Sequence, residues 1–373
     1  MKTKSMEVKQ MKTKLTLLTL FLLSSLLIAG CTGSERTEKI RYTSSFFDTF
    51  DTVVQVVAYT DSEEEFDLYM EMIHGRFREL HKLYNIYVSY EGVNNIRTIN
   101  ENAGVRPVEV DQEIIDLIIY SKELYGQTGY TTNIALGPVL SIWRTYREDA
   151  EYDPANAEVP PLDILQEAAL YTDIDQVIVD QENMTVFLPD ARMSLDVGAV
   201  AKGFATELVA REVETAGLTS AVLSPGGNIR TIGKPMDGIR ERWAIGIQNP
   251  EASIIAEDDR ILDVVFINDG AVVSSGDYQR YYIVDGEIMH HIIDPATLMP
   301  GRYYRAISVV ADDAALADFL STALFLLPYE ESLAVAESFD NVEVYWVFHD
   351  GSVKVTEGLK EKLGSYGATN VKE

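Results

Sequence analysis

A chain of 373 residues with a 46% hydrophobic share, a 24% charged share and one cysteine has room for one large domain or two. Those values exclude a disordered chain, a collagen, a polytopic membrane protein, a disulfide framework and a Cys-rich zinc site. The formal net charge is −28; positions 1–30 hold five Lys and one Glu, leaving 26 basic against 58 acidic groups beyond residue 30. Such a surface repels nucleic acid and anionic lipid, so no nucleic-acid partner is expected. A phosphate-bearing substrate would need a local cation from Lys, Arg or a metal.

The first segment reads as an address. Lys12 and Lys14 precede an apolar run from Leu15 to Ala29, too short and too N-terminal for a spanning helix. The run ends Leu27-Ile28-Ala29-Gly30-Cys31, which resembles a lipobox, with the only cysteine at the position that would carry lipid. Residues 1–30 are therefore expected to be a lipoprotein signal peptide and 31–44 a lipidated polar tether, with 45–373 a single folded domain. The protein would be lipid-anchored at the cell membrane, on its extracytoplasmic side.

Thr52–Tyr59 is rich in β-branched residues and predicts a strand. Ser62-x-x-Glu65 is a capping box, and Phe66, Met70, Ile73, Phe77, Leu80 and Tyr84 then recur at helical spacing. His74 and His81 on that helix are read as surface groups, not a metal pair. A second helix is expected over Asp111–Tyr125, stopped at Gly126, and residues 148–161 read as an acidic, Pro-containing surface loop. Ile174–Val179 and Met184–Leu188 predict a hairpin, Val200–Gly217 a helix and Ala221–Leu223 a strand. Strands are expected at 261–267, 271–274, 281–284 and 287–293, the last two joined across Asp285-Gly286, with another ending at Val309. Asp313–Leu327 predicts a helix, and Val342–Phe348 with Ser352–Thr356 a last hairpin. Hairpins outnumber βαβ units, so the fold class is α+β, with mixed or antiparallel sheets and packed helices.

Four stretches hold more Gly, Asp and polar residues than packing needs. The first runs Thr131-Thr132-Asn133 to Gly137-Pro138. The second runs Ser194 to Gly203: a strand ends in Asp196, and small residues open a helix with Lys202 in its first turn. Small residues allow close ligand approach and a helix N-terminus favours anions, although a tightly packed strand–helix corner has the same composition. The third joins Ser274-Ser275-Gly276-Asp277-Tyr278 to His290-His291-Ile292-Ile293-Asp294-Pro295. Strand neighbours alternate faces, so only one of the two His can point inward, and a strand His is often structural. The fourth puts Asp318, Ser321 and Thr322 at i, i+3 and i+4 on one helix face. Their hard oxygens suit Mg²⁺, or they form a solvated polar face.

In this order, these motifs resemble the ApbE family of FAD:protein FMN transferases. The resemblance runs from Phe50-Asp51-Thr52 to about Leu327 and is most specific at Ala201–Phe204, Ser275–Tyr278 and His291–Pro295. It implies a two-lobed, T-fold-like catalytic domain with Mg²⁺ as cofactor and FAD as substrate. It also implies a client protein as acceptor, usually with a D-x-x-[ST]-G-A-[ST] segment. A client Ser or Thr hydroxyl would attack the phosphorus on the FMN side, and AMP would leave. By the same resemblance Ala199, Asp318, Ser321 and Thr322 stand at the metal positions. Phe50, Tyr90, Thr131, Thr132, Asn133, Asp196, Lys202, His291 and Ile292 stand at FAD positions. His291, Asp318 and Lys202 would carry the chemistry, with Asp318 or His291 as the base.

The sequence departs from the family pattern at Phe50 (usually Met), Asn133 (Asp), Asn94-Asn95 (Ser-Glu), Asn228 (often an acid) and Ser321 (often Asp). Most of these changes keep hydrogen bonding and delete charge. Two other functions fit the same residues: a pyrophosphatase that splits FAD to FMN and AMP, and a non-catalytic flavin- or solute-binding lipoprotein. The transferase reading requires Asp196, Lys202, His291 and Asp318 to converge on one cleft.

Overall fold

A computed structural model describes residues 39–252 and 260–371. Cys31 and the expected signal peptide lie outside the described residues. The chain opens with β1 (Ile40–Thr49) and β2 (Thr52–Thr60), an antiparallel hairpin. Its two-residue turn, Phe50-Asp51, has φ of +53° and +50°, as a turn that follows the right-handed strand twist requires. β1 starts at Ile40, inside the stretch expected to be tether, because pairing with β2 satisfies its backbone.

Helix α1 (Glu63–Tyr84) follows, its Ser62 cap accepting the Glu65 N–H at 3.2 Å. Helix α2 (Ile96–Glu101) is capped by Asn95, which gives that departure from the family pattern a structural role. After β3 (Val108–Glu109) comes α3 (Gln112–Gln127), which runs through Gly126 and ends before Gly129, where φ is +72°. The sequence reading missed α4 (Gly137–Tyr152) and α5 (Leu162–Ala169). Residues 148–152, expected in a loop, continue α4: Val139, Trp143 and Ala150 form its buried stripe, while the acids Glu148 and Glu151 are exposed. Pro138, in the first turn, was the start signal.

Strands β4 (Ile178–Asp180) and β5 (Thr185–Phe187) form the expected hairpin, shortened because Ile174–Gln176 is a 3₁₀ turn. Then come α6 (Ala201–Thr215), β6 (Ala221–Pro225), β7 (Asn228–Ile232), β8 (Trp243–Gln248), β9 (Ile261–Ile267) and β10 (Ala271–Gly276). β11 (Tyr281–Val284) and β12 (Glu287–His290) turn at Asp285-Gly286, where both φ are positive. β13 (Ala306–Ala311), α7 (Ala314–Phe325), α8 (Tyr329–Ala336), β14 (Glu343–Val347) and β15 (Val353–Val355) complete the order.

The main sheet is antiparallel in the order β1-β2-β6-β7-β10-β13-β14-β15. Alternation assigns its two faces. Val54, Val56, Ile307, Val309, Val344 and Trp346 point to the helices, whereas Tyr59, Val310, Tyr345 and Val347 point to the β8–β9 hairpin and the C-terminal turns. A smaller lobe has its own core, in which α4 and α5 pack on the inner face of β11–β12.

Candidate active site

Between the sheet-and-helix body and the smaller lobe lies a cleft of about 440 Å³, a size usual for a ligand site. Its floor is the corner that enters α6. The Asp196 N–H donates to the Ile134 carbonyl (2.8 Å), and its Oδ1 accepts the Gly198 N–H (3.0 Å). These bonds fix an extended segment outside any sheet, not the strand end the sequence suggested, and its carboxylate lines the cleft. Lys202 projects from the first turn of α6, its Nζ 3.4 Å from the Gly198 carbonyl.

Asp318 comes from α7, which is buried on nearly all sides, so a solvated polar face is excluded. Its Oδ2 accepts the Gly203 N–H at 2.7 Å. A Cβ at position 203 would stand 2.3 Å from the Asp318 Cβ, so glycine here is a condition for the α6–α7 approach. Burial raises the Asp318 pKa, opposed by the Lys202 charge and the Gly203 N–H. Thr322, one turn on, and Ala199 also line the cleft. Ser321 does not: its hydroxyl is turned to Ser275 Oγ (2.8 Å) and the Asp318 carbonyl (2.9 Å).

The two histidines at the end of β12 take different partners and both are enclosed, so the expectation that only one would point inward does not hold. His290 packs edge-on to Phe325, donates from Nε2 to the Gly301 carbonyl (2.7 Å) and accepts the Ile292 N–H on Nδ1 (3.2 Å). These partners specify a neutral, structural tautomer. His291 lines the cleft with a buried Nδ1 that has no protein hydrogen bond. Burial first, then the charges of His290, Arg280, Lys202 and Arg147, push its pKa down to about 3. Ile292 lines the cleft beside it, and the buried Asn228 Oδ1 there also lacks a protein hydrogen bond.

Thr131, Thr132 and Asn133 line the opposite wall, but their side chains already serve the fold. The hydroxyls donate to the Ala323 (3.2 Å) and Phe319 (3.4 Å) carbonyls, and the Asn133 amide donates to the Thr172 carbonyl (2.8 Å). Tyr90 is not among the lining residues; its hydroxyl lies 3.2 Å from the Asn85 amide nitrogen. Tyr87, three residues earlier, lines the cleft instead, with the Arg144 guanidinium 4.7 Å above its ring. Phe50 lines the mouth at the β1–β2 tip. The Phe50 N–H donates to His81 Nδ1 at 3.0 Å, so His81 supports the cleft and is not the surface group its spacing suggested.

The sequence reading also missed the charge balance. Arg144 and Arg147 from α4 and Arg280 before β11 join Lys202, so four cations face Asp51, Asp196 and Asp318. Arg144 is held 2.6 Å from Asp196 Oδ2. The signal for Arg144 and Arg147 was positional: arginines on a helix that reading had not found. Within a strongly acidic protein this cleft is locally suited to an anion. Among the described residues no group of three His, Cys, Asp or Glu could hold a metal. A metal here would rest on one buried carboxylate, Asp318, with neutral oxygens, a donor set that fits a hard ion such as Mg²⁺.

The ApbE family model matches residues 50–346. A FAD:protein FMN transferase of Treponema pallidum (strain Nichols) is 32% identical over 280 residues, 72% of this chain and 74% of the relative. One of Klebsiella pneumoniae (strain 342) is 30% identical over 256 residues, 68% of this chain and 75% of the relative. The crystal structure of the ApbE protein of Thermotoga maritima superposes with a TM-score of 0.73 at 26% identity, covering 86% of this chain and 98% of that one. The flavin transferase ApbE of Vibrio cholerae, at 20% identity and a TM-score of 0.69, shares the fold over 87% of this chain and 100% of its own.

Proposed function

The chain belongs to the ApbE family and is an enzyme that transfers flavin, and from this premise we propose that it moves FMN from FAD to a Ser or Thr hydroxyl of a client protein, with Mg²⁺. The observation that carries the reading is the meeting of Asp196, Lys202, His291 and Asp318 along one cleft. The client oxygen bonds to the phosphorus on the FMN side, the phosphorus–oxygen bond to AMP breaks, and the hydroxyl proton passes to a base. Mg²⁺, when bound, supplies Lewis-acid neutralisation of the diphosphate. Asp318, the Ala199 carbonyl and Thr322 would hold it.

Lys202 and the three arginines place fixed positive charge where phosphate charge develops, the main requirement of phosphoryl transfer. His291 is the proton acceptor in this reading. It is neutral at pH 7, its Nδ1 has no protein partner, and anionic diphosphate beside the ring moves its pKa back up. Tyr87 offers its ring to the flavin or adenine.

The test mixes the protein with FAD, Mg²⁺ and a protein bearing a D-x-x-[ST]-G-A-[ST] segment, and records the acceptor's intact mass. A gain of one FMN that EDTA abolishes and Mg²⁺ restores is expected, with a loss on the order of 100-fold in Lys202→Ala. FMN and AMP formed without acceptor labelling would make the protein a pyrophosphatase; FAD left intact would make it a binding protein. The lipobox supports a further proposal, that Cys31 is acylated and holds the enzyme on the outer side of the membrane. Among the described residues no helix is long and apolar enough to cross a membrane. Cys31→Ser should move the protein from the membrane to the soluble fraction; retention would refute the anchor.

A further inference from the structure

Helices α6 and α7 meet at two levels one turn apart, and the role of the second level is an inference that rests on the metal-assisted transferase reading. At the first level the Gly203 N–H donates to Asp318 Oδ2 at 2.7 Å. At the second, Glu207 Oε2 accepts the Ala314 N–H at 2.8 Å. Gly203 and Glu207 stand at i and i+4 on α6, and Ala314 and Asp318 at i and i+4 on α7, so the two bonds are matched rungs between antiparallel helices.

Glu207 is held in turn. Its Oε2 also accepts Arg230 Nε from β7 at 3.0 Å, and its Oε1 accepts Arg211 Nε from α6 at 2.8 Å. The Arg211 guanidinium reaches on to Asp313 Oδ2 at 2.7 Å, and Asp313 Oδ1 caps α7 by accepting the Leu316 N–H at 2.8 Å. One carboxylate therefore joins a strand of the main sheet, α6 and the first turn of α7.

Glu207 and Arg230 are 5% and 6% exposed, so both charges are taken out of water. Such a pair adds little net stability, and two apolar side chains of similar volume would fill the core as well. They would not supply a directed bond to the Ala314 N–H. Four residues beyond that N–H stands Asp318, the buried carboxylate of the cleft. Mg²⁺ holds its oxygens at about 2.1 Å, so a slip of α7 by one helical step of about 1.5 Å would lose the contact.

We propose that Glu207 is a positioning residue, which fixes the register of α7 on α6 and thereby sets Asp318 for the metal. Glu207 is not itself among the residues lining the cleft.

The test uses the full chain in detergent, loaded with FAD and without acceptor. It is titrated with Mn²⁺, a stand-in for Mg²⁺ that electron paramagnetic resonance reads directly. Glu207→Met/Arg230→Met removes both buried charges together, so the melting temperature should stay near that of the parent while the Kd for Mn²⁺ rises about tenfold. FAD affinity measured without metal should not change. Glu207→Gln should keep the parent's Kd for Mn²⁺, because the amide oxygen can replace Oε2 toward Ala314 and Arg230, and only the contact to the exposed Arg211 is lost. Ala314→Pro serves where the double variant does not fold. It removes the N–H at the first position of α7, behind an Asp313 of extended backbone, a place that accepts proline, and the same tenfold rise is expected. A Kd for Mn²⁺ within about twofold of the parent in the folded double variant, or in Ala314→Pro, overturns the proposal. So does an equal rise in Glu207→Gln, which would assign the effect to lost charge. Failure of the transferase reading looks different: the parent would bind FAD and Mn²⁺ and label no acceptor.

Discussion

Arg144 shows how one side chain can organise a binding wall. Its guanidinium bonds the Asp196 carboxylate at 2.6 Å and covers the Tyr87 ring at 4.7 Å. Arg144→Ala should weaken FAD binding about tenfold by freeing both groups, and Arg144→Lys should not restore it, because a point charge cannot both stack and bond in a plane. Fluorescence titration with FAD checks this. His291 carries a pH signature. Its folded pKa of about 3 lies below the ordinary value of 6.5, so the unfolded chain binds the extra proton first. Its contribution to stability is full above about pH 6.5 and is lost as pH falls toward 3. Urea unfolding at pH 7 and pH 4.5 should show a smaller difference between the two pH values in His291→Gln than in the parent.

The site depends on how closely elements approach. The α6–α7 crossing brings Gly203 against Asp318, and a methyl group there meets Asp318 Cβ at 2.3 Å and the Ala314 carbonyl at 2.4 Å. Gly203→Ala should therefore cost about 1–3 kcal/mol and displace the carboxylate. Thermal melting checks the first effect; a raised Mg²⁺ requirement for transfer checks the second. The β1–β2 hairpin is a second case. Its tip needs positive φ at Phe50, a conformation uncommon for a bulky residue, and the bond from the Phe50 N–H to His81 helps hold it over the cleft. The family resemblance pointed to Phe50. The support from His81, 31 residues away, was not visible in the chain order.

Across the whole molecule, the cleft joins two bodies with separate cores, the sheet with its helices and the small lobe of α4, α5 and β11–β12. A ligand spanning both binds only the assembled state. FAD at about 100 times its Kd should stabilise the fold by about 2.7 kcal/mol, read as a rise in melting temperature that is reduced in Lys202→Ala. The acidic surface and the cationic cleft act at different ranges. Salt screens the first over about 8–10 Å, while the second sits in a partly dry wall.

The sequence by itself determined the elements with strong local signatures. The Ser62 cap, the 3.6-residue periodicity of α1 and the Asp285-Gly286 turn all depend on neighbours a few residues away. It also singled out Lys202, His291 and Asp318, whose motifs are contiguous and which line one cleft. Tertiary structure decided the rest. It turned Ser321 toward Ser275, put Tyr87 rather than Tyr90 on the cleft wall, and engaged the polar side chains of Thr131, Thr132 and Asn133 with the fold. It drew Arg144, Arg147 and Arg280 to Lys202 across the gap between lobes. The physical reason is range: caps, turns and helical stripes are encoded within a few residues, whereas the direction a side chain takes and the charge it meets are set by segments that only folding brings together.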